Sequence, residues 1–184
     1  MGQRHHHYEL AFENWLRAAH LPYVMVDEQR RTLAPDGSLK SLDFIVSPPG
    51  QQRLLIDVKG RQFPGVERKA SARWNNWTPF DDLKQIARWE ELFGREFRGL
   101  FVFAYETDQP ARFPELAPFF CNDARYYAFY GVWVDEYAKH IRLRSRSWKT
   151  VDLTTEDFRD LRFRLDTFLI PEEDSVSSNV KALA

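Results

Sequence analysis

A single cysteine, Cys121, stands in 184 residues, which excludes an intrachain disulfide and is the usage of a reducing compartment. Charge of one sign is missing as well. Lys and Arg number 26 against 27 Asp and Glu, a net −1 at pH 7. No global basic field therefore advertises nucleic acid, and any contact with a polyanion must come from local patches. No apolar run reaches the roughly 18 residues that a helical membrane span needs. The opening Met-Gly-Gln-Arg-His-His-His has no apolar signal region, and the chain reads as soluble and cytoplasmic. The three histidines at 5–7 lie directly against a helix and are assigned no metal role. There is no internal repeat. What is present is an ordinary globular balance, 43% hydrophobic and 29% charged, with aromatics high at 15%. That length suits one domain with a real core over residues 1–170. Residues 171–184 are polar and small, the pattern of a disordered tail.

Residues 41–60 are the informative stretch. Two apolar runs flank Pro48-Pro49-Gly50, which reads as a hairpin. Each run carries an acid, Asp43 in the first and Asp57 in the second, and Lys59 follows two residues later. Alternation puts Asp57 and Lys59 on one face of their strand. Pairing Val46 with Leu54 sets Asp43 opposite Asp57, with Cβ atoms about 4.5–5.5 Å apart. Two carboxylates that close repel unless a cation or a proton intervenes. A divalent metal is the simplest remedy, and hard oxygen ligands suit Mg²⁺ or Mn²⁺. The competing reading is a surface ion pair of Asp57 and Lys59 on an exposed strand end, with Asp43 an acid near the turn.

Around this hairpin the chain reads in order. Residues 6–20 are a helix with Tyr8, Phe12, Trp15 and Ala19 on its core face. Glu9 and Glu13 lie one turn apart on a flank, either solvated or leaning over a metal. A first strand runs from Tyr23 to about Thr32, and Ala34-Pro-Asp-Gly-Ser38 is a turn. Strands near 42–46 and 53–59 complete an antiparallel meander. The long connection over 60–79 mixes Arg61, Arg68, Lys69 and Arg73 with Phe63, Trp74 and Trp77. Basic residues among aromatics suit phosphate contact and base stacking, or the tryptophans pin the loop to the core. Residues 80–93 are a helix carrying Gln85, stopped by Gly94, and the apolar run 98–105 is a buried parallel strand. Residues 126–134 form another strand, leading into a short polar segment. A hairpin over 140–153 places Arg142, Arg144 and Arg146 on one face. A helix then starts at Thr154-Thr-Glu-Asp and continues through Phe158, Leu161, Leu165 and Phe168.

Helix, three-stranded meander, helix and buried strand, with Asp43 and Asp57-Val58-Lys59, resemble the PD-(D/E)XK nuclease superfamily. Tyr8-Glu9 resembles the opening helix of the Holliday-junction resolvases within it. The resemblance spans about residues 8–105 and departs from the family pattern where Leu42, not proline, precedes Asp43. It implies an α/β (α+β) restriction-endonuclease-like core over about 6–108, ordered αβββαβ, with a central mixed sheet flanked by helices. Residues 109–170 add a C-terminal β-hairpin and helix. It further implies that Asp43, Asp57, the Val58 carbonyl and Glu9, or Glu13, ligate Mg²⁺. Lys59 would orient water and steady phosphorane charge, and Gln85 would position Lys59 or substrate. The expected activity is metal-dependent hydrolysis of DNA, ahead of RNA, by a chain that dimerises if both duplex strands are cut. A non-catalytic binding module on the same fold, and an enzyme acting on a small phosphate compound, are the alternatives.

Overall fold

The computed structural model describes residues 6–26, 32–34, 37–39, 42–63 and 74–170. The tail from 171, and Arg68, Lys69 and Arg73, lie outside the described residues. The first helix, α1, spans His6–Ala18, and β1 covers Tyr23–Met25. β2, Thr32–Ala34, and β3, Gly37–Leu39, pair as a small antiparallel ladder. The expected strand over 23–32 is thus two elements, a three-residue strand and one arm of a separate hairpin.

The meander continues with β4, Phe44–Val46, and β5, Arg53–Gln62. Their register pairs Val46 with Leu54 and Phe44 with Ile56, as the apolar alternation predicts. A short β6, Thr78–Pro79, leads into α2, Phe80–Phe93, which crosses to the parallel strand β7, Phe97–Thr107. Gly94, at φ 84°, ends α2 by donating its N–H to the Glu90 carbonyl. After two 3-10 turns, β8, Phe120–Asn122, pairs with β9, Arg125–Trp133, and β9 lies antiparallel to β7.

The C-terminal third holds more structure than its sequence pattern suggests. The polar segment after Val134 is a helix, α3, Val134–His140. The basic hairpin consists of β10, Arg142–Ser145, and β11, Thr150–Asp152, and β11 also pairs with β6. A bulge between Leu143 and Ser145 breaks the alternation, so Arg146 falls in the turn instead of sharing a strand face with Arg142. Thr154 caps α4, Thr155–Leu161, by accepting the Asp157 N–H, as expected. The helix does not run on to Phe168. It yields to β12, Phe163–Arg164, and then to α5, Leu165–Leu169. The reason is tertiary. Phe163 pairs with Gly131 and fills the space a β-carbon there would need, at 2.8 Å, while Arg164 donates to the carbonyls of Leu116, Ala117 and Pro118.

The main sheet runs β1-β4-β5-β7-β9-β12, with β8 on β9. One face carries α1, where Phe12 and Trp15 pack with Phe44, Ile56, Val58 and Phe129. The other carries α2, where Leu83 and Ile86 pack with Leu55, Phe101, Tyr130 and Tyr137. Trp74 is tied into that second cluster among Phe63, Tyr105 and Tyr130, which bears out the pinned-loop reading for this tryptophan. Buried Asn76 exchanges hydrogen bonds with both backbone groups of Leu153 and accepts the Tyr137 hydroxyl at its carbonyl, fastening the C-terminal third to the start of α2.

Gly60 does not close β5, which runs on to Gln62. Its bare Cα instead lets the Tyr8 ring lie where a β-carbon would come within 2.0 Å. Gly60→Ala is therefore expected to push α1 off the sheet and to lower stability by about 1–3 kcal/mol, read by urea denaturation.

Candidate active site

Three short-range rules bring the site together. The first is alternation along β5. Leu55 faces the α2 cluster, and Asp57 and Lys59 follow it on that face. The second is the length of β4. Its last ladder pair is Phe44 with Ile56, so among the described residues the β5 edge beyond Ile56 has no strand paired to it. The Asp43 N–H still bonds the Ile56 carbonyl at 3.0 Å, and the Asp43 carboxylate (Oδ2) turns back to accept the Val58 N–H at 2.6 Å. The backbone groups of alternate strand residues point to the same edge. Val58 thus presents its carbonyl on the side that Ile56 uses for Asp43. The third rule is the packing of α2, whose first turn carries Asp82 over the same face.

Lys59 lies at the centre, only 9% exposed, and its Nζ donates to Asp57 Oδ2 at 2.7 Å and to Asp82 Oδ2 at 2.6 Å. Burial alone would lower the lysine pKa, but the two carboxylates outweigh it and the net shift is upward. Lys59 is therefore an ammonium at any physiological pH. The Asp43 carboxyl is pushed well above the usual carboxylate range. Burial is the main cause, the Asp57 charge adds to it, and Glu9 contributes from α1. The Val58 N–H and the Lys59 charge pull in the opposite direction.

Glu9 and Glu13 part company here. The Glu13 carboxylate holds Arg17 at 2.6 Å and the Tyr23 hydroxyl at 2.8 Å, while Glu9 is the helical acid whose charge acts on Asp43. The start of α1 is fixed from the far side of Gly60. His7 Nδ1 meets the Tyr127 hydroxyl at 3.1 Å, and Glu106, paired with Arg125 at 3.2 Å, bonds Tyr8.

Gln85 sits one helical turn beyond Asp82, half-buried on the same side of α2. Asp82 itself escapes sequence reasoning. An acid in the first turn of a helix is ordinary dipole chemistry, and the available hint is its three-residue spacing from Gln85. Its 5% exposure marks it as a working partner of the buried lysine.

The basic residues divide. Arg61, next on the Asp57–Lys59 face, turns inward: it donates to the Gly60 and Trp77 carbonyls and lies 4.4 Å from the Trp77 ring centroid. Burial pushes its pKa down, and its Nε has no hydrogen-bond partner among the described residues. It braces Trp77 through that carbonyl and ring. Arg144 lies 5.0 Å from the same ring, and Arg142 grips Asp152 with two nitrogens at 2.7 and 3.2 Å. Arg146 is exposed in the hairpin turn.

The donors around Asp43, namely carboxylates and a strand carbonyl, are hard oxygens, and the Asp57 and Glu9 charges add to burial in raising the Asp43 proton affinity, a repulsion of the kind that Mg²⁺ or Mn²⁺ relieves. Among the described residues, no three His, Cys, Asp or Glu side chains stand at metal-holding spacing. Asp43 and Asp57 are turned instead to nitrogen donors, the Val58 N–H and the Lys59 ammonium.

No protein-family model matches the chain, and no curated protein matches it. Among solved structures it is similar to Hjc, a Holliday junction resolvase of the archaeal hyperthermophile Archaeoglobus fulgidus. The TM-score is 0.52 at 14% identity, over 89% of this chain and 98% of that one. At that identity the likeness shows the fold, which is restriction-endonuclease-like, a mixed sheet between helices as the sequence pattern implies. No helix among the described residues is long and apolar enough to cross a membrane.

The raised Asp43 pKa has a signed consequence. The native state holds this proton more tightly than the unfolded chain, so the stability it contributes is present below the unfolded carboxylate pKa, about 3.9. It is lost as pH rises through the raised native value. Asp43→Asn keeps an oxygen for the Val58 N–H and removes the charge. In EDTA the variant is expected to melt higher than the parent at neutral pH and alike at acidic pH, measured by thermal melts across pH.

Proposed function

We propose that the chain is a metal-dependent nuclease that hydrolyses phosphodiester bonds in DNA. The observation that carries the reading is a buried ammonium held by two carboxylates, beside a third whose proton affinity is raised by burial and by the neighbouring Asp57 charge. A fold that needed only stability would gain little from assembling these charges, because burying ions costs several kcal/mol each. Perturbed titratable groups of this kind gather where chemistry is done.

Asp43, Asp57 and the Val58 carbonyl would hold Mg²⁺ or Mn²⁺, with Glu9 reaching in from α1. When bound, the ion lowers the pKa of its water and neutralises charge on the phosphate oxygens. The protein's own part is positional and electrostatic. Lys59 supplies a permanent positive charge to the phosphate oxygen on which negative charge grows, and its ammonium can donate to the attacking water. Asp57 and Asp82 hold that ammonium in one orientation, and Gln85 stands where it can contact Lys59 or the substrate strand. Asp57→Asn and Lys59→Ala are each expected to lower cleavage by at least about 10²-fold, as removal of a preorganised transition-state charge does. The measurement is plasmid, single-stranded and branched-DNA cleavage with Mg²⁺ or Mn²⁺, with circular dichroism to confirm the fold. Full activity in either variant would refute the assignment.

A second reading, a non-catalytic nucleic-acid- or protein-binding module, is favoured by the absence of a three-acid set at ligating distance among the described residues. A metal site predicts that Mg²⁺ or Mn²⁺ raises the melting temperature of the parent and not of Asp43→Asn. A pure binding module predicts no metal-dependent shift in either.

A further inference from the structure

The most exposed large apolar side chain among the described residues is Trp148, 80% accessible, at the tip of the β10–β11 hairpin. Isolated surface apolar residues need no explanation, so exposure alone says little. This one is presented by a fastened turn. The Trp148 N–H donates to the Ser145 hydroxyl at 3.3 Å, and that hydroxyl meets Ser147 at 3.1 Å. Lys149 adopts φ 48°, a left-handed conformation uncommon outside glycine. The flanks are basic. Arg146 and Lys149 are exposed and make no ion pair among the described residues, in contrast to Arg142 on Asp152.

Two independent links tie this tip to the candidate site. The Lys149 carbonyl accepts the N–H of Phe80 at 2.9 Å, and Phe80 begins the helix turn that carries Asp82 to Lys59. From the other side, Trp77 lies within cation–π range of both Arg144 of the hairpin and Arg61 of the Lys59 strand. The tip is therefore held at the N-terminal end of α2, whose first turn carries the Asp82 partner of Lys59.

We propose that this hairpin is a base-stacking arm: Trp148 stacks on an unpaired or splayed base of DNA, with Arg146 and Lys149 on the adjoining phosphates. This rests on the reading of the chain as acting on DNA. Every base has a π-face, while a base inside an intact duplex shows only its edges, so an exposed indole between cations selects DNA with an unstacked nucleotide at the scissile position. Preorganisation of the turn reduces the ordering cost of binding.

The test is fluorescence anisotropy in EDTA with three labelled probes: a perfect duplex, the same duplex bearing a single-stranded flap, and the single strand alone. Trp148→Ala is expected to bind the flap and the single strand about tenfold more weakly and the duplex unchanged, in line with the loss of one base stack. Trp148→Phe should restore most of the loss. Arg146→Ala should weaken all three probes alike and flatten the salt dependence. The proposal is overturned if Trp148→Ala matches the parent on every probe, if it loses equally on duplex and flap, or if the parent does not prefer the flap. Binding is read without divalent metal, so a chain that binds this way yet cuts nothing once Mg²⁺ or Mn²⁺ is added would refute the nuclease reading alone.

Discussion

A buried ammonium cannot stand by itself, and Lys59 dictates much of what surrounds it. Asp57 is supplied by the same strand and Asp82 by a helix that the chain reaches only after a long connection. The Asp82 bond ties the first turn of α2 to the centre of β5. Loss of both acids would leave an uncompensated ion in the interior, which is far costlier than a lost surface pair. The apolar contacts of Leu83 and Ile86 supply the adhesion of α2, and the ion triad supplies its address.

The brevity of β4 is the second constraint. A longer strand would have satisfied the Val58 N–H with a backbone carbonyl and closed the edge of β5. Instead a side chain, Asp43, does the work of a strand residue, and the opening it leaves lies within reach of the Glu9 charge on α1. Gly60 permits that approach by letting Tyr8 sit directly on the sheet. The strand end and the strand centre each contribute one acid, and the charge of a helical acid, Glu9, acts on the first of them.

What the sequence disclosed follows from local rules. The β4–β5 register is readable because two apolar runs and a Pro-Pro-Gly turn leave one alignment that buries both. The bounds of α2 are readable from Pro79 and Gly94, and the cap of α4 from Thr154. What stayed hidden depends on partners distant in the chain. The break in the helix at Arg162 exists because Phe163 has Gly131 to pair with, more than thirty residues away. Asp82 looks like any first-turn acid until a lysine from β5 meets it. The displacement of Arg146 from the strand face follows from a single bulge, which no alternation pattern reveals. The inward turn of Arg61 depends on the Trp77 carbonyl and ring.

The hydrogen bond from the Phe80 N–H to the Lys149 carbonyl ties the hairpin to the start of the second helix. A force applied at the loop end has no slack to dissipate into, because β11 is stitched to β6 on one side and Leu153 to Asn76 on the other. Loop end and helix start thus share a main-chain bond two residues from the carboxylate that steadies the innermost cation.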